Sequence, residues 1–192
     1  IQVAIVPIYK GDEQLAFVSN VANEIKKELL AKGISVKFDD DDNRKPGWKF
    51  AEYEVKGVPV RIAIGQRDIE NGVVEIARRD TLEKVSVNRE GVAQYIEQLL
   101  NEIQQNLFER ANSFTKTNTT FVNSWNEFKD VLETKGGFIS AHWDGTPETE
   151  DKIKEITKAT IRCIPLDQKE EDGKCIFTGA PSKGRVLFAK AY

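Results

Sequence analysis

A continuous apolar run near the start of the chain, from Gln2 to Ile8, places the strongest constraint on the fold. The sequence Val-Ala-Ile-Val, closed by Pro7, is typical of a strand that is buried on both faces of a parallel sheet. Apolar residues then recur at three- and four-residue steps between Glu13 and Lys32, and Gly33 follows, which predicts an amphipathic helix. Alternation from Ile34 to Phe38 predicts a second strand. A strand, a helix and a strand with short joints favour a right-handed parallel crossover and an α/β fold.

The following segment extends this sheet. Trp48 to Val55 predicts a short helix ended by Gly57, and Val58 to Ile64 predicts a third strand. A strand from Val73 to Ala77 is expected to run antiparallel, because the polar connection from Gly65 to Gly72 is too short for a helical crossover. The sheet is therefore predicted to be mixed. The residues that share one side of the short helix are Trp48, Ala51 and Val55, and the arginine expected on the more solvated face of the third strand is Arg61.

The longest predicted helix runs from Gly91 to Ala111, with Asn88 available as its cap. The polar segment from Asn112 to Thr120 predicts a boundary, which divides the chain into domains at 1–111 and 112–192. The second domain is predicted to be a small α/β unit. Its predicted elements are a helix capped by Asn123 or Ser124 and stopped at Gly136-Gly137, a strand from Phe138 to His142, a helix from Thr146-Pro147 to Thr160 with Ile153 and Ile156 on its buried face, and strands at Ile161 to Ile164 and Val186 to Ala189.

Composition limits the classes of partner. A net charge of -3 with 31% charged residues does not describe a broadly basic protein, so an anionic partner requires a local basic patch. Two cysteines, Cys163 and Cys175, imply no disulfide framework and favour a reducing cytoplasm. No apolar run approaches the roughly 20 residues of a membrane helix, so no membrane partner is expected. The chain begins at Ile1 and contains no methionine, so we expect a fragment of a longer cytoplasmic protein.

The sequence offers little catalytic chemistry. The only histidine, His142, lies in an apolar strand, which is typical of a structural side chain, and the glycine motifs of phosphate and dinucleotide sites are absent. We therefore predict no catalytic residue in this chain. The aspartates from Asp39 to Asp42 leave two interpretations open, a magnesium site or a solvated loop. The loop is favoured, because the first strand ends in Pro7-Ile8-Tyr9 without the acid that such a magnesium site needs.

Aromatic, cationic and acidic side chains are concentrated between positions 50 and 84. Such a set can stack on an unpaired RNA base, hold phosphates and pair with base edges, those of guanine in particular. The alternative is that these residues are ordinary surface charges, and composition does not decide between the two. The residues are Phe50, Glu54, Arg61, Arg67, Asp68, Arg78, Arg79 and Lys84.

Several motifs carry a resemblance to a known family. They are Val3-Ala-Ile-Val-Pro-Ile-Tyr, Pro46-Gly-Trp-Lys-Phe, Glu54-Val-Lys-Gly-Val-Pro-Val-Arg61 and Ile64-Gly-Gln-Arg-Asp68 followed by Glu70-Asn-Gly72. In this order and spacing they resemble the anticodon-binding domain of the prolyl-tRNA synthetases, which are class II aminoacyl-tRNA synthetases. The rest of the chain, down to Val186-Leu-Phe-Ala-Lys-Ala-Tyr192, resembles the C-terminal domain of their archaeal and eukaryotic-like branch.

This resemblance implies a fold and a partner. The expected fold is a mixed five-stranded sheet flanked by helices, followed by a small α/β domain. The expected partner is the anticodon loop of proline tRNA, whose second and third anticodon bases are guanine. By position, Phe50 would stack on an anticodon base, and Glu54, Arg61, Arg67 and Asp68 would contact guanine edges. Arg79 and Lys84 would favour the RNA backbone, with Arg78 beside them.

The resemblance also bears on cofactors and on the complete protein. Many relatives hold zinc with four cysteines, and those positions here are Asp144, Thr149, Cys175 and Thr178. One thiol, one carboxylate and two hydroxyls do not make a structural zinc site, so we predict no metal. The full-length enzyme would use ATP and magnesium through a catalytic domain of the same chain and would form a homodimer. Tyr192 would anchor the C-terminal domain to that catalytic domain. The alternative is a non-catalytic accessory module of the same fold.

Overall fold

The structure is a computed structural model that describes residues 1–168 and 170–191. The chain forms two compact units, Ile1–Glu109 and Arg110–Tyr192. Tyr192, the predicted anchor, lies outside the described residues. No helix among the described residues has both the length and the apolar character needed to cross a membrane.

The first unit contains a mixed five-stranded sheet, as predicted. The elements in chain order are β1 (Val3–Ile8), α1 (Asp12–Ala31), β2 (Val36–Phe38), α2 (Pro46–Val55), β3 (Val60–Gly65), α3 (Gln66–Glu70), β4 (Val73–Arg78), β5 (Lys84–Asn88) and α4 (Val92–Thr117). The strand order in the sheet is β2-β1-β3-β4-β5. β1 pairs in parallel with β2 and β3, whereas β4 pairs antiparallel with β3 and β5.

Helices cover this sheet on both faces. Val3 and Ile5 of β1 belong to a core shared with the apolar faces of α1 and α4, while Ala4 and Val6 face the opposite way and pack with Tyr53 of α2. Burial on both sides explains why β1 is a continuous apolar run. The crossover from β1 through α1 to β2 agrees with the predicted parallel unit.

The prediction that Trp48, Ala51 and Val55 form the buried side of α2 was wrong. Trp48 and Val55 are exposed, and the buried residues of the helix are Lys49 and Tyr53. The cause is Asp39, directly after β2, which accepts hydrogen bonds from both buried side chains. The Lys49 Nζ atom lies 2.9 Å from the Asp39 carbonyl oxygen and 3.2 Å from its carboxylate, and the Tyr53 hydroxyl lies 2.9 Å from the other carboxylate oxygen. Burial and this hydrogen bond raise the pKa of Tyr53.

Two further differences concern the connections of the first unit. The polar segment from Gly65 to Gly72 contains the short helix α3. A fifth strand was predicted only from the family resemblance. Its segment, Lys84–Asn88, is largely exposed and contains only two valines, so its sequence does not show the pattern of a buried strand. Its pairing with β4 therefore supplies order that its own sequence pattern does not indicate.

The elements of the second unit are β6 (Thr119–Phe121), α5 (Trp125–Thr134), β7 (Phe138–His142), α6 (Pro147–Thr157), β8 (Ala159–Cys163), β9 (Gly173–Lys174), β10 (Pro181–Ser182) and β11 (Arg185–Lys190). They form a four-stranded sheet with the order β6-β7-β11-β8 and a two-stranded ribbon of β9 and β10. α5 begins after Ser124, which was one of the two predicted caps. The Ser124 Oγ atom accepts from the backbone of Glu127, whose carboxylate accepts from the backbone of Ser124 in return.

Some details of this region also differ from expectation. The segment from Asn112 to Thr120, predicted as a boundary from its polar composition, is helical to Thr117 and then enters β6. α6 ends at Thr157, because Lys158 adopts a left-handed conformation. Within α6, Ile153 is buried as predicted, but Ile156 is 58% exposed, so its predicted place on the buried face was wrong.

Candidate nucleic-acid interface

One row of residues crosses the first unit's sheet from β1 to β5. Ala4, Arg61, Ala77 and Lys84 are register partners across β1, β3, β4 and β5, so their side chains share one face. This is the face on which α2 packs. The small side chain of Ala77 leaves space beside Arg61, and Lys84 at the edge is exposed. Arg61 and Lys84 are thereby brought next to α2.

Phe50 and Arg61 form a stacked pair at the border between α2 and the sheet. The Arg61 Cζ atom lies 3.5 Å from the centre of the Phe50 ring, and Phe50 is half-buried. Arg61 is only 5% exposed, so its predicted place on a solvated face was wrong. α2 covers this part of the sheet. Burial lowers the pKa of Arg61, and the Glu75 carboxylate, 3.5 Å away, acts in the opposite direction.

Arg79 ties the end of α2 to β4. Its Nε atom donates to the carbonyl oxygen of Glu54 at 2.8 Å, and its backbone N–H donates to Pro59. A cation at the C-terminus of a helix satisfies a free carbonyl and complements the helix dipole. Arg79 therefore fixes the segment that carries both Phe50 and Glu54, whose carboxylate is exposed.

The pocket that these residues line is small. Phe50, Glu54, Arg61, Arg79 and Lys84 surround a cavity of about 40 Å³. That volume holds on the order of one water molecule, so a nucleic-acid base lies against the pocket and does not enter it. Arg61 occupies one face of the Phe50 ring, and the ring also packs against the cluster of Ala4, Val6, Tyr53 and Val58, so only the exposed part of this half-buried ring is available to a base.

Arg67 and Asp68 lie in a different place. They line a cleft at the end of β3, about 13 Å from Arg61 at the usual rise of a strand. The Asp68 carboxylate accepts from the backbone N–H of Gly65 at 2.8 Å and so caps α3, which fixes the turn that carries Arg67. The predicted set is thus divided between two neighbouring sites. The cleft also contains residues that sequence reasoning missed. Tyr9 and Lys10 directly follow β1, which was the available signal, and Gln14 lies in the first turn of α1.

Arg78 has a structural role. Its guanidinium forms two hydrogen bonds of 2.8 and 2.7 Å with the Asp80 carboxylate, which Asn106 of α4 also contacts. These hydrogen bonds, that of Arg78 foremost, lower the pKa of Asp80 to about 2. The Arg78–Asp80 pair joins the β4–β5 turn to α4, so the Arg78 guanidinium stabilises the fold.

Three of the four positions that resemble a zinc site, Asp144, Thr149 and Thr178, form a hydrogen-bonded cluster around Asp144, and the fourth, Cys175, is a buried free thiol. One carboxylate oxygen accepts from the hydroxyls of Thr149 and Thr178 at 2.9 and 2.8 Å, and the other accepts from Thr146. Burial raises the pKa of Asp144, but these hydrogen bonds outweigh it and lower the pKa to about 2. The hydroxyls donate to Asp144, so this donor set does not fit zinc. Within the described residues, no group of three or more His, Cys, Asp or Glu side chains is arranged to hold a metal ion.

His142 is buried inside the second unit. Its Nδ1 atom lies 3.1 Å from the Ser182 hydroxyl, and its Nε2 atom lies 3.3 Å from the Glu171 carboxylate. The Ser182 hydroxyl also donates to the carbonyl oxygen of Gly184. Gly173 packs directly on the imidazole ring, because a Cβ atom at that position would meet Nε2 at 2.3 Å. These contacts connect β7 to the ribbon strands.

Comparison with known proteins assigns the class of the first unit. Residues 2–99 match the family model described as the anticodon binding domain, and the chain belongs to this family. Residues 125–192 match the family model described as prolyl-tRNA synthetase, C-terminal. The two matches fall on the two ends of the chain in the order that the sequence motifs predict.

Curated relatives that match along the whole of this chain share one name. The chain is 62% identical over 192 residues to a protein named proline-tRNA ligase from Christiangramia forsetii, and 59% identical over 192 residues to one from Flavobacterium johnsoniae. A proline-tRNA ligase from Porphyromonas gingivalis is 58% identical over 191 residues. Each match covers 100% of this chain and 38–39% of the relative. The predicted resemblance to prolyl-tRNA synthetases is confirmed, and the chain spans about two fifths of the length of these relatives.

Proposed function

We propose that the first unit binds the anticodon loop of proline tRNA and that the chain is the recognition part of a proline-tRNA ligase. The observation that carries this proposal is the Phe50–Arg61 stack beside Arg79 and Lys84 at the border of α2, in a chain of the anticodon-binding family. Single-stranded RNA is recognised through bases that are splayed out and stacked on aromatic rings. Phe50 supplies such a ring, and the cation beneath it strengthens the attraction for a base.

Each neighbouring residue has a role in this proposal. The Glu54 and Asp68 carboxylates accept from the N–H groups of guanine, and Arg67 donates to its O6 and N7 atoms. Arg61 holds Phe50 from below and contributes its positive charge. Arg79 fixes Glu54, and Lys84 neutralises a phosphate. These roles need no catalytic residue in the chain.

The complete enzyme forms the wider part of the proposal. It attaches proline to its tRNA with ATP and magnesium, through a catalytic domain of the same chain, and it acts as a homodimer in the cytoplasm. The name shared by the relatives supports the ligase reaction. The chain's own contribution is the choice of tRNA.

The first prediction tests base recognition. RNA hairpins that carry the proline anticodon loop should bind the 192-residue chain, and replacement of either guanine by adenine should weaken binding about tenfold. The measurement is fluorescence polarisation with labelled hairpins at a fixed salt concentration, since affinity for RNA depends on salt. Equal affinity for all hairpins would contradict base recognition by this surface.

The second prediction concerns Lys84. The variant Lys84→Ala should weaken binding of every hairpin by about threefold, because a phosphate contact carries no base preference. The slope of log affinity against log salt should fall by about 0.7, the value for one phosphate contact on a single strand. Lys27→Ala, an exposed lysine on α1, is the matched control. A change in base preference in Lys84→Ala would show that Lys84 contacts a base.

A further inference from the structure

The last turns of α4 carry apolar side chains that are exposed in the described chain. The buried residues of this helix fall within 92–103, and their spacing continues along the same face to Leu107, Ala111 and Phe114. Leu107 is 45% exposed, Phe114 is 70% exposed, and the neighbouring Phe108 is 59% exposed. The α4 stripe consists of Leu107, Phe108, Ala111 and Phe114.

This pattern indicates a helix face that packs on a partner. Apolar residues at three- and four-residue steps form one continuous face, whereas single exposed apolar residues are scattered. The ionisable residues from 104 to 117 are one carboxylate, Glu109, and two cations, Arg110 and Lys116. So small an excess of positive charge does not favour a polyanion. The chemistry that fits the α4 stripe is the apolar surface of a protein.

The stripe lies beyond the edge of the sheet at which β1 begins. Asn106 donates to the Asp80 carboxylate at 2.6 Å. Asp80 follows Arg78, which is the register partner of Val60 at the start of β3. Since β1 is parallel to β3 and in register with it, Ile1 lies at this same edge. The turns of α4 after Asn106 therefore extend from the edge at which a preceding segment would join the first unit.

The curated relatives contain such a segment. The match to the Christiangramia forsetii protein covers 39% of that relative. The chain ends in a region that matches the C-terminal family model, so most of the remaining three fifths of the relative precedes the match. In these relatives a large part of the protein therefore joins this unit on the side of the α4 stripe.

The area of the stripe favours a tethered partner over a second copy of the chain. Its exposed apolar surface is roughly 350 Å², since a fully buried aromatic side chain covers about 150–250 Å² and those of the stripe are partly exposed. A stable interface between separate molecules buries about 800 Å² on each partner. A segment joined at Ile1 needs a smaller interface, because the tether gives it an effective concentration of about a millimolar.

We propose that the α4 stripe is the docking surface for the segment that precedes Ile1 in the full-length protein, which places an apolar surface against Leu107, Phe108 and Phe114. The proposal rests on the proposed function, in which this chain is part of a longer proline-tRNA ligase. α4 then has two roles. Its first half covers the sheet, and its second half fixes the recognition unit to the remainder of the enzyme.

The experiment compares the 192-residue chain with a fusion in which this chain replaces the matching part of the Christiangramia forsetii proline-tRNA ligase. Hydrogen exchange of the α4 amides after Asn106 should be at least tenfold slower in the fusion, because docking protects the end of the helix. Exchange in β1 should be the same in both proteins, which checks that the fold is retained. Equal exchange at the end of α4 in the two proteins would overturn the proposal.

A substitution in the stripe tests which surface is covered. In the fusion, Phe114→Gln should raise the exchange rate at the end of α4 about tenfold, because it removes apolar contact area while keeping a good helix former. In the 192-residue chain it should leave the stability unchanged, because the side chain is exposed there. Phe17→Gln, an exposed phenylalanine of α1, is the matched control and should change neither protein. Equal effects of the two substitutions in the fusion would show that the stripe is not the docking surface.

Two further measurements detect other occupants. The 192-residue chain should sediment as a monomer, and a dimer that Phe114→Gln dissociates would show that a second copy covers the stripe. The 192-residue Phe114→Gln variant should bind the proline anticodon hairpin like the wild type, and weaker binding would assign the stripe to the RNA interface. Either contrary result would overturn the proposal.

The outcomes separate this proposal from base recognition. If the end of α4 is protected in the fusion but all hairpins bind the chain with equal affinity, docking stands and base recognition fails. If the hairpins are distinguished but the end of α4 exchanges equally in both proteins, base recognition stands and docking fails.

Discussion

Phe50→Ala is expected to weaken binding of the proline anticodon hairpin by about 2 kcal/mol, or roughly 30-fold, the effect of one lost base stack. The loss should be large because the ring is fixed in advance by Arg61, 3.5 Å beneath it, and so gives up little freedom on binding. Trp48→Ala is the matched control. Trp48 is an exposed aromatic residue of the same helix that lines neither site, and its removal should leave affinity unchanged.

The role of Arg61 can be separated from that of Phe50 by a double-mutant cycle. Arg61→Ala should also weaken binding by about 1–3 kcal/mol, but the double variant should be little weaker than Phe50→Ala, because Arg61 acts through the ring. Arg61→Lys keeps the charge and loses the planar stack, so an intermediate affinity is expected. Additive effects, with relaxed preference at one guanine in Arg61→Ala, would show instead that Arg61 contacts that base directly.

Periodicity was sufficient to predict the central elements of the fold. The apolar run of β1 and the helical spacing of α1 predicted both to within one residue of the observed bounds, since burial alone determines those patterns. Periodicity did not predict the buried side of α2, which carries Lys49 and Tyr53. Long side chains of this type bury their stems when a partner meets their polar ends, and the partner, Asp39, lies ten residues or more away in sequence.

The candidate site shows the same limit. Alternation along β3 correctly placed Arg61 on the face opposite Val60 and Ile62, but the sequence does not show that α2 covers that face. The predicted residues are divided between two sites because Arg61 lies within β3, whereas Arg67 and Asp68 lie beyond its end in α3, a helix that the sequence pattern did not predict. Tyr9 is the last residue of the first family motif, but that motif alone does not place it beside Arg67. It is in the cleft because β1 and β3 are parallel and end at the same edge.

Asp144→Ala is expected to destabilise the second unit by about 2–4 kcal/mol, the largest stability effect that we predict in this chain. Asp144 accepts from three threonine hydroxyls that lie in the loop before α6, in α6 and in the turn after Cys175. Its removal leaves these donors without their acceptor, and the Thr149 side chain is buried. Hydrogen exchange of the amides in α6 and in the 175–179 turn is the measurement, and faster exchange in both segments is expected.

The same carboxylate predicts a dependence on pH. The pKa of Asp144 is about 2 in the folded chain against 3.8 as the ordinary value. Because the pKa of Asp144 is lower in the folded chain than in the unfolded chain, the ionised carboxylate stabilises the fold at pH values above the unfolded pKa. This stabilisation is lost as the pH falls towards 2, so the protection of second-unit amides from hydrogen exchange should decrease between about pH 5 and pH 2. The loss is at most about 2 kcal/mol, because solvent screening reduces it. Asp144→Asn should remove this component, whereas Asp151→Asn, on the exposed side of α6, should retain it. If Asp144→Asn has the same dependence of protection on pH as the wild type, another carboxylate controls the acid sensitivity of this unit.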